Sequence, residues 1–175
     1  MEKRLSWNIY FLRIAREVSK NSKCLSRKIG AILVKDKAII STGYNGPARG
    51  VKHCEERDKS FYKFLDTGKS EIFELDTFNK CPRKELGYKS GQGLHLCQAG
   101  HAERNALIQA ARNGISTLNT TLYCTDSPCK ECAIEMVNAG VKKLVYPQNK
   151  DYDEYSKVIL LESKISKIEI IEVGE

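Results

Sequence analysis

The sequence predicts an α/β fold, a sheet with parallel neighbours and helices packed on its faces. Three observations lead to it. Helix and strand patterns alternate from residue 101 to the end of the chain. An aromatic stripe at helical spacing near the start precedes two apolar runs around a polar turn. The length of 175 residues, with 41% hydrophobic and 29% charged side chains, suits one globular domain with a proper core.

Taken in order, Trp7, Tyr10, Phe11, Ile14, Ala15 and Val18 recur at helical spacing and are expected in the core. Ile29 to Val34 and Ala38 to Ser41 flank Lys35-Asp36-Lys37 and read as a hairpin. Gly43-Tyr44-Asn45-Gly46-Pro47 is a turn cluster. Residues 51 to 100 break the rhythm and read as an inserted region within one domain of residues 1–175. Phe61 to Leu65 is expected as a short helix there, and Gly87 to Gly93 as a loop. From Ala102 to Arg112 the residues are strong helix formers, and Asn113-Gly114 stops them. A strand from Thr121 to Cys124, a helix from Pro128 to Asn138, a strand from Lys143 to Tyr146, a helix over about Glu154 to Ser163 and a strand from Ile168 to Val173 follow. Pro128 suits a first helical position, where no N–H is needed. No internal repeat or low-complexity segment is evident.

No apolar run approaches membrane-spanning length, and the N-terminus reads as an amphipathic helix, not a signal peptide. Seven cysteines without a secretion signal imply reduced thiols or metal ligands and a cytoplasmic location. A net charge of +7 helps attract a phosphorylated substrate. It is equally compatible with nucleic acid, but the basic residues are dispersed and no aromatic-interleaved basic tract suggests a strand-binding groove.

The chemistry concentrates in His101-Ala102-Glu103 and Pro128-Cys129-Lys130-Glu131-Cys132. Cys129 and Cys132 are i and i+3, one face of a helix. At a helix N-terminus free N–H groups and the macrodipole favour thiolates. Two thiolates and the His101 imidazole make three zinc ligands, which leaves a fourth position for water, the catalytic pattern. Residues i and i+2 do not face each other inside a helix, so His101 and Glu103 share a site only if His101 lies in the opening turn. Glu103 then sits beside the metal as a proton carrier. Either motif alone is weak; a lone C-x-x-C also reads as redox, structural zinc or buried thiols.

In this order and context the two motifs resemble the signature of the zinc-dependent cytidine deaminase superfamily, in particular its deoxycytidylate (dCMP) deaminases. Ser26-Arg27-Lys28-Ile29-Gly30-Ala31 and Gly43-Tyr44-Asn45-Gly46 extend the resemblance, which runs from about Trp7 to the C-terminus. It implies a three-layer α/β/α fold with a central mixed sheet of about five strands. It implies deamination of dCMP to dUMP and ammonia for thymidylate synthesis, with Glu103 moving protons and Asn45 on the sugar. Ser26, Arg27, Lys150 and Tyr152 are candidates for the phosphate, from motif position and charge. Regulated members bind dCTP as activator and dTTP as inhibitor, usually as hexamers, so a homo-oligomer is expected. Some nucleotide-level deaminases hold a second zinc in the insertion. For that site the choice here is Cys24, His53, Cys81 and Cys97, with Cys54 and His95 as alternates. Competing readings are another cytosine nucleotide or nucleoside as substrate, a tRNA or single-stranded-DNA editing enzyme, and a deaminase-like DNA-uptake protein. An intact Glu103 argues against the last.

Overall fold

Apolar strands covered on both faces build a five-stranded mixed sheet in the order β2 (Ala38–Tyr44), β1 (Gly30–Lys35), β5 (Thr121–Cys124), β6 (Lys143–Pro147) and β7 (Lys167–Ile171). The computed structural model describes residues 5–59, 66–68, 77–89, 91–147, 153–163 and, as backbone, 167–171. Phe61 to Leu65, Lys150 and Tyr152 lie outside them. The described chain divides into two compact units. One comprises residues 1–22, 29–45 and 101–175; the other comprises 23–28 and 46–100.

The first unit begins with α1 (Trp7–Ser19), capped by Ser6 accepting from Ile9 N at 3.3 Å. β1 (Gly30–Lys35) and β2 (Ala38–Tyr44) form the expected hairpin. After residue 100 come α3 (Ala102–Arg112), β5 (Thr121–Cys124), α4 (Lys130–Asn138), β6 (Lys143–Pro147), α5 (Glu154–Glu162) and β7 (Lys167–Ile171). β1 runs antiparallel to both β2 and β5, whereas β5, β6 and β7 are parallel.

Side chains alternate across each strand, and both faces are covered. Ala31, Leu33, Leu122, Cys124, Leu144 and Tyr146 join Ala102, Ala106, Ala110, Ala133, Met136 and Leu160 from α3, α4 and α5. Ile32, Val34, Tyr123 and Val145 join Phe11, Leu12 and Ala15 from α1 on the other face. A strand buried on both faces loses its polar alternation, which is why Ala31-Ile32-Leu33-Val34 is uninterrupted. The N-terminal stripe is corrected in part. Trp7 and Tyr10 remain 43% and 44% exposed, and Leu12 is buried instead. Trp7 stacks on Phe11 and meets Tyr10 edge-on, so the aromatics continue outward from the core.

The second unit contains β3 (Gly46–Pro47) paired antiparallel with β4 (Ala99–Gly100), the short helix α2 (Pro82–Glu85), and 3-10 turns at Cys54–Glu56 and Leu94–Leu96. Its described apolar cluster is small: Phe78 and Leu96, with Leu86 and Tyr88 against them. Polar contacts add to it, including Tyr88 Oη donating to Asp66 and a Lys59–Glu85 ion pair at 2.9 Å.

The β1–β2 turn places Asp36 and Lys37 at φ of 50° and 63°, the left-handed region that disfavours a side chain. Lys37 recovers part of that cost by sitting over the Trp7 ring at 5.2 Å. Lys37→Gly is therefore expected to stabilise the fold by about 0.5 kcal/mol. A urea midpoint that does not rise would count against this turn.

Candidate metal centre

His101 is the N-cap of α3, with extended backbone at φ −73° and ψ 156°. That break in helical phase lets it face the same way as Glu103. Its carbonyl accepts the first helical bond, from Asn105 N at 2.9 Å. Cys129 plays the same part for α4, at φ −81° and ψ 171°, with its carbonyl accepting from Ala133 N. Pro128 therefore precedes the cap and is not at the first helical position. The i, i+3 spacing holds across the cap: both sulfurs approach the imidazole. His101 Nδ1 lies 3.3 Å from Cys129 Sγ and 3.4 Å from Cys132 Sγ.

The three donor atoms lie within 4.8 Å of one another, a grouping that no other such set reaches among the described residues. Zinc bonds of ordinary length set tetrahedral N···S edges at about 3.6 Å, so the donor set fits that ion with little adjustment. Two thiolates and one imidazole leave a fourth position open, as in a catalytic site.

Without a metal ion the donors share protons among themselves, and a bound cation would displace those protons. The Cys129 thiol is pulled down to about 5, first by the hydrogen bond from Cys132 and then by His101. Cys132 is pushed up because it holds a proton against that thiolate in a buried position. His101 is raised by its bond to Cys129. Glu103 is 4% exposed, and burial raises its carboxyl to about 7. A carboxyl with that pKa exchanges protons readily near neutrality.

Several supports were not read from the sequence. Arg104 forms two bonds to Glu135, at 2.9 and 2.8 Å, tying α3 to α4. Asp153 accepts from Lys130 N at 2.9 Å and from Tyr155 N at 3.0 Å, capping α4 and α5 with one carboxylate. Gly30 and Thr125 exchange bonds, Thr125 N to Gly30 O at 3.0 Å and Gly30 N to Thr125 Oγ1 at 3.1 Å. This fixes the β5–α4 loop to β1. Asp153 before a helical run carries an N-cap signal; the Arg104–Glu135 pairing carries no local one.

The other candidates separate by unit. Asn45 is buried at the end of β2, its Oδ1 accepting from Ile29 N at 2.8 Å. Ser26 and Arg27 belong to the second unit. So do Cys24, His53, Cys54, Cys81, His95 and Cys97. The Cys54 thiol is raised to about 11, first by burial and then by Cys97, Cys81 and Cys24. Cys54, an alternate in the sequence analysis, is thus a thiol that feels the other three electrostatically. No three of these sulfurs close to within 4.8 Å. His53 N donates to Glu56 at 2.6 Å, and His95, 61% exposed, faces Asp66 at 3.7 Å.

Residues 5–148 match the model of the cytidine and deoxycytidylate deaminase zinc-binding region. The chain belongs to this family. It is 41% identical over 150 residues to the deoxycytidylate deaminase of Enterobacteria phage T4, covering 80% of this chain and 77% of that one. It is 32% identical over 157 residues to the deoxycytidylate deaminase of Schizosaccharomyces pombe, covering 90% of this chain but 42% of that enzyme. The chain therefore spans less than half the length of the fission yeast relative. In fold it is similar to the dCMP deaminase of cyanophage S-TIM5 solved with dCMP and dUMP, at a TM-score of 0.63 and 24% identity, over 97% of this chain and 100% of that one.

A carboxyl whose pKa rises on folding, here from 4.5 to about 7, favours the native state below 4.5 and loses that advantage as pH rises towards 7. Glu103→Gln removes the loss. In metal-free, reduced protein its Tm should match the parent near pH 4.5 and exceed it by roughly 5 °C at pH 8. Equal Tm values at both pH values would mean that the carboxyl is not held in a desolvated site.

Proposed function

We propose that this chain is a zinc-dependent hydrolase that converts dCMP and water to dUMP and ammonia. The observation that carries the reading is the meeting of His101, Cys129 and Cys132 at two helix N-termini, with the buried Glu103 carboxyl beside them poised near neutrality. The name of the T4 relative, 41% identical, supports the substrate.

His101, Cys129 and Cys132 would hold the zinc. When bound, the ion supplies Lewis acidity that makes water a nucleophile near neutral pH. Glu103 takes the proton of the attacking water and delivers it to the cytosine ring nitrogen. It then takes the remaining proton of the oxygen now bonded to C4 and passes it to the amino group; the C4–N bond breaks, ammonia leaves and the C4=O bond forms. Burial keeps Glu103 out of bulk water, so its protons stay on this route. Asn45, rigid at the end of β2, is assigned to the deoxyribose. The 5′-phosphate is assigned to Ser26, Arg27, Lys150 and Tyr152 on motif position and charge. Regulation by dCTP and dTTP, a homo-oligomeric assembly, supply of dUMP for thymidylate and a cytoplasmic location complete the proposal. They rest on the family resemblance and on seven free cysteines. No described helix is long and apolar enough to cross a membrane.

The second unit is assigned a structural zinc on Cys24, Cys54, Cys81 and Cys97. Cys54 is taken in place of His53 because its thiol feels the other three sulfurs electrostatically. Cys24 Sγ already accepts from Ser26 N at 3.4 Å. The small described apolar cluster of this unit gives a four-thiolate metal something to stabilise.

Glu103→Gln should retain zinc at the centre, since Glu103 is not a ligand, and lose at least about 100-fold in kcat; near-parental turnover would sink the mechanism. Efficiency on dCMP should exceed that on deoxycytidine, and equal efficiencies would remove the phosphate assignments. Metal analysis of the pure protein should give two zinc ions per chain, falling to one in Cys54→Ser. One zinc in the parent, unchanged in Cys54→Ser, would leave the four cysteines as thiols.

A further inference from the structure

We infer that Gly43 is the positioning residue of the centre: its missing side chain sets where the first turn of α3, with His101 and Glu103, rests against β2. The inference builds on the roles proposed above for those two residues. A Cβ on Gly43 would lie 2.3 Å from Ala102 O, 2.4 Å from Ala106 N and 2.9 Å from Asn105 C. All three are backbone atoms of α3, so no side chain can swing aside; the helix itself must move. The requirement is for space, not for backbone conformation.

Two hydrogen bonds hold the helix in this seat. Ser41 Oγ donates to Ala106 O at 2.9 Å, and Asn105 Nδ2 donates to Tyr44 O at 2.8 Å. Ala102 and Ala106, both fully buried, present the smallest available face to β2. The thiolates have further anchors of their own on α4, Asp153 and the loop tied to Gly30, and the Arg104–Glu135 pair links the two helices side chain to side chain. The centre is therefore two half-sites on two helices. Gly43 touches the half that carries the imidazole and the carboxyl. Restoring ordinary contact around a methyl group at position 43 takes about 1 Å of helix displacement. A shift of that size moves His101 and Glu103 together against Cys129 and Cys132, and misplacement on that scale costs up to roughly 100-fold in rate.

The test compares Gly43→Ala with Gly114→Ala, each loaded with zinc for kinetics and with cobalt(II) for absorption spectra. Gly114 lies just beyond the other end of α3, at φ 65°, with nothing within 4 Å of an added Cβ. Alanine there strains the same helix without displacing its first turn. Gly43→Ala should lose roughly 10- to 100-fold in kcat on dCMP with KM nearly unchanged, and should shift the cobalt bands. Gly114→Ala should lower Tm while keeping parental kcat and bands. If Gly43→Ala does not fold, Asn105→Ala decides: loss of the Tyr44 contact should shift the cobalt bands and lower kcat by a few fold. Parental bands and kcat in a folded Gly43→Ala, parental bands in Asn105→Ala, or an equal kcat loss in Gly114→Ala would overturn the inference. The cobalt spectrum needs no substrate. A parent that deaminates nothing would refute the proposed reaction, while the bands would still report on the seat.

Discussion

Two helix N-termini must meet with their capping residues touching, and the architecture of the first unit follows from that demand. His101 and Cys129 are both N-caps with extended backbone. An N-cap is the point at which a side chain can turn across the helix end towards the free N–H groups. Both macrodipoles then direct partial positive charge at thiolates and a carboxylate that would otherwise repel one another. The pair of parallel strands β5 and β6 sends the loop after β5 to the sheet edge where α4 begins, and β1 holds that loop through Gly30 and Thr125. Arg104 with Glu135 keeps the two helices in register from the outside.

Much of this was legible because local rules agreed with one another. The hairpin, the alternation after residue 101 and the stop at Asn113-Gly114 were read from spacing and turn chemistry, and each lies within a few residues of its place; the three donors that the two motifs offered lie within 4.8 Å of one another. The errors have identifiable causes. Pro128 marks a helix start, but the cap that follows it is a cysteine whose backbone must stay extended to aim its sulfur. Trp7 and Tyr10 obey helical periodicity yet lie on the shoulder of the stripe, and Leu12 takes the core position. Periodicity gives a face and not its width. Arg104–Glu135 and the contact between β2 and α3 join residues far apart in sequence. No local pattern encodes them.

The second unit follows a different logic. Among its described residues the apolar cluster is built on Phe78 and Leu96. Order there leans on glycines at positive φ, a phenol–carboxylate bond and an ion pair. An ionised Cys54 would feel Cys97, Cys81 and Cys24, so these sulfurs ionise together only at a cost that a bound cation would offset. The spacing of these cysteines gives no ligand geometry by itself. Spacing alone does not choose among His53, Cys54 and His95 as ligands.

The short β3–β4 ladder has a consequence for how this chain tolerates change. Gly46 pairs with Gly100, and Pro47 with Ala99. The excursion from 46 to 100 thus leaves and returns through neighbouring residues, like a purse closed by a drawstring. For the polymer physics of the remaining chain, β2 and α3 are joined by a short link, however many residues lie inside the drawstring. Loop-closure entropy grows only with the logarithm of contour length, and a closed excursion reduces even that. Insertions and deletions inside it should therefore cost the sheet little. The same closure lowers the effective contact order of the β1–β5 pairing, Ala31 with Cys124, which otherwise would rank among the slow long-range steps of folding.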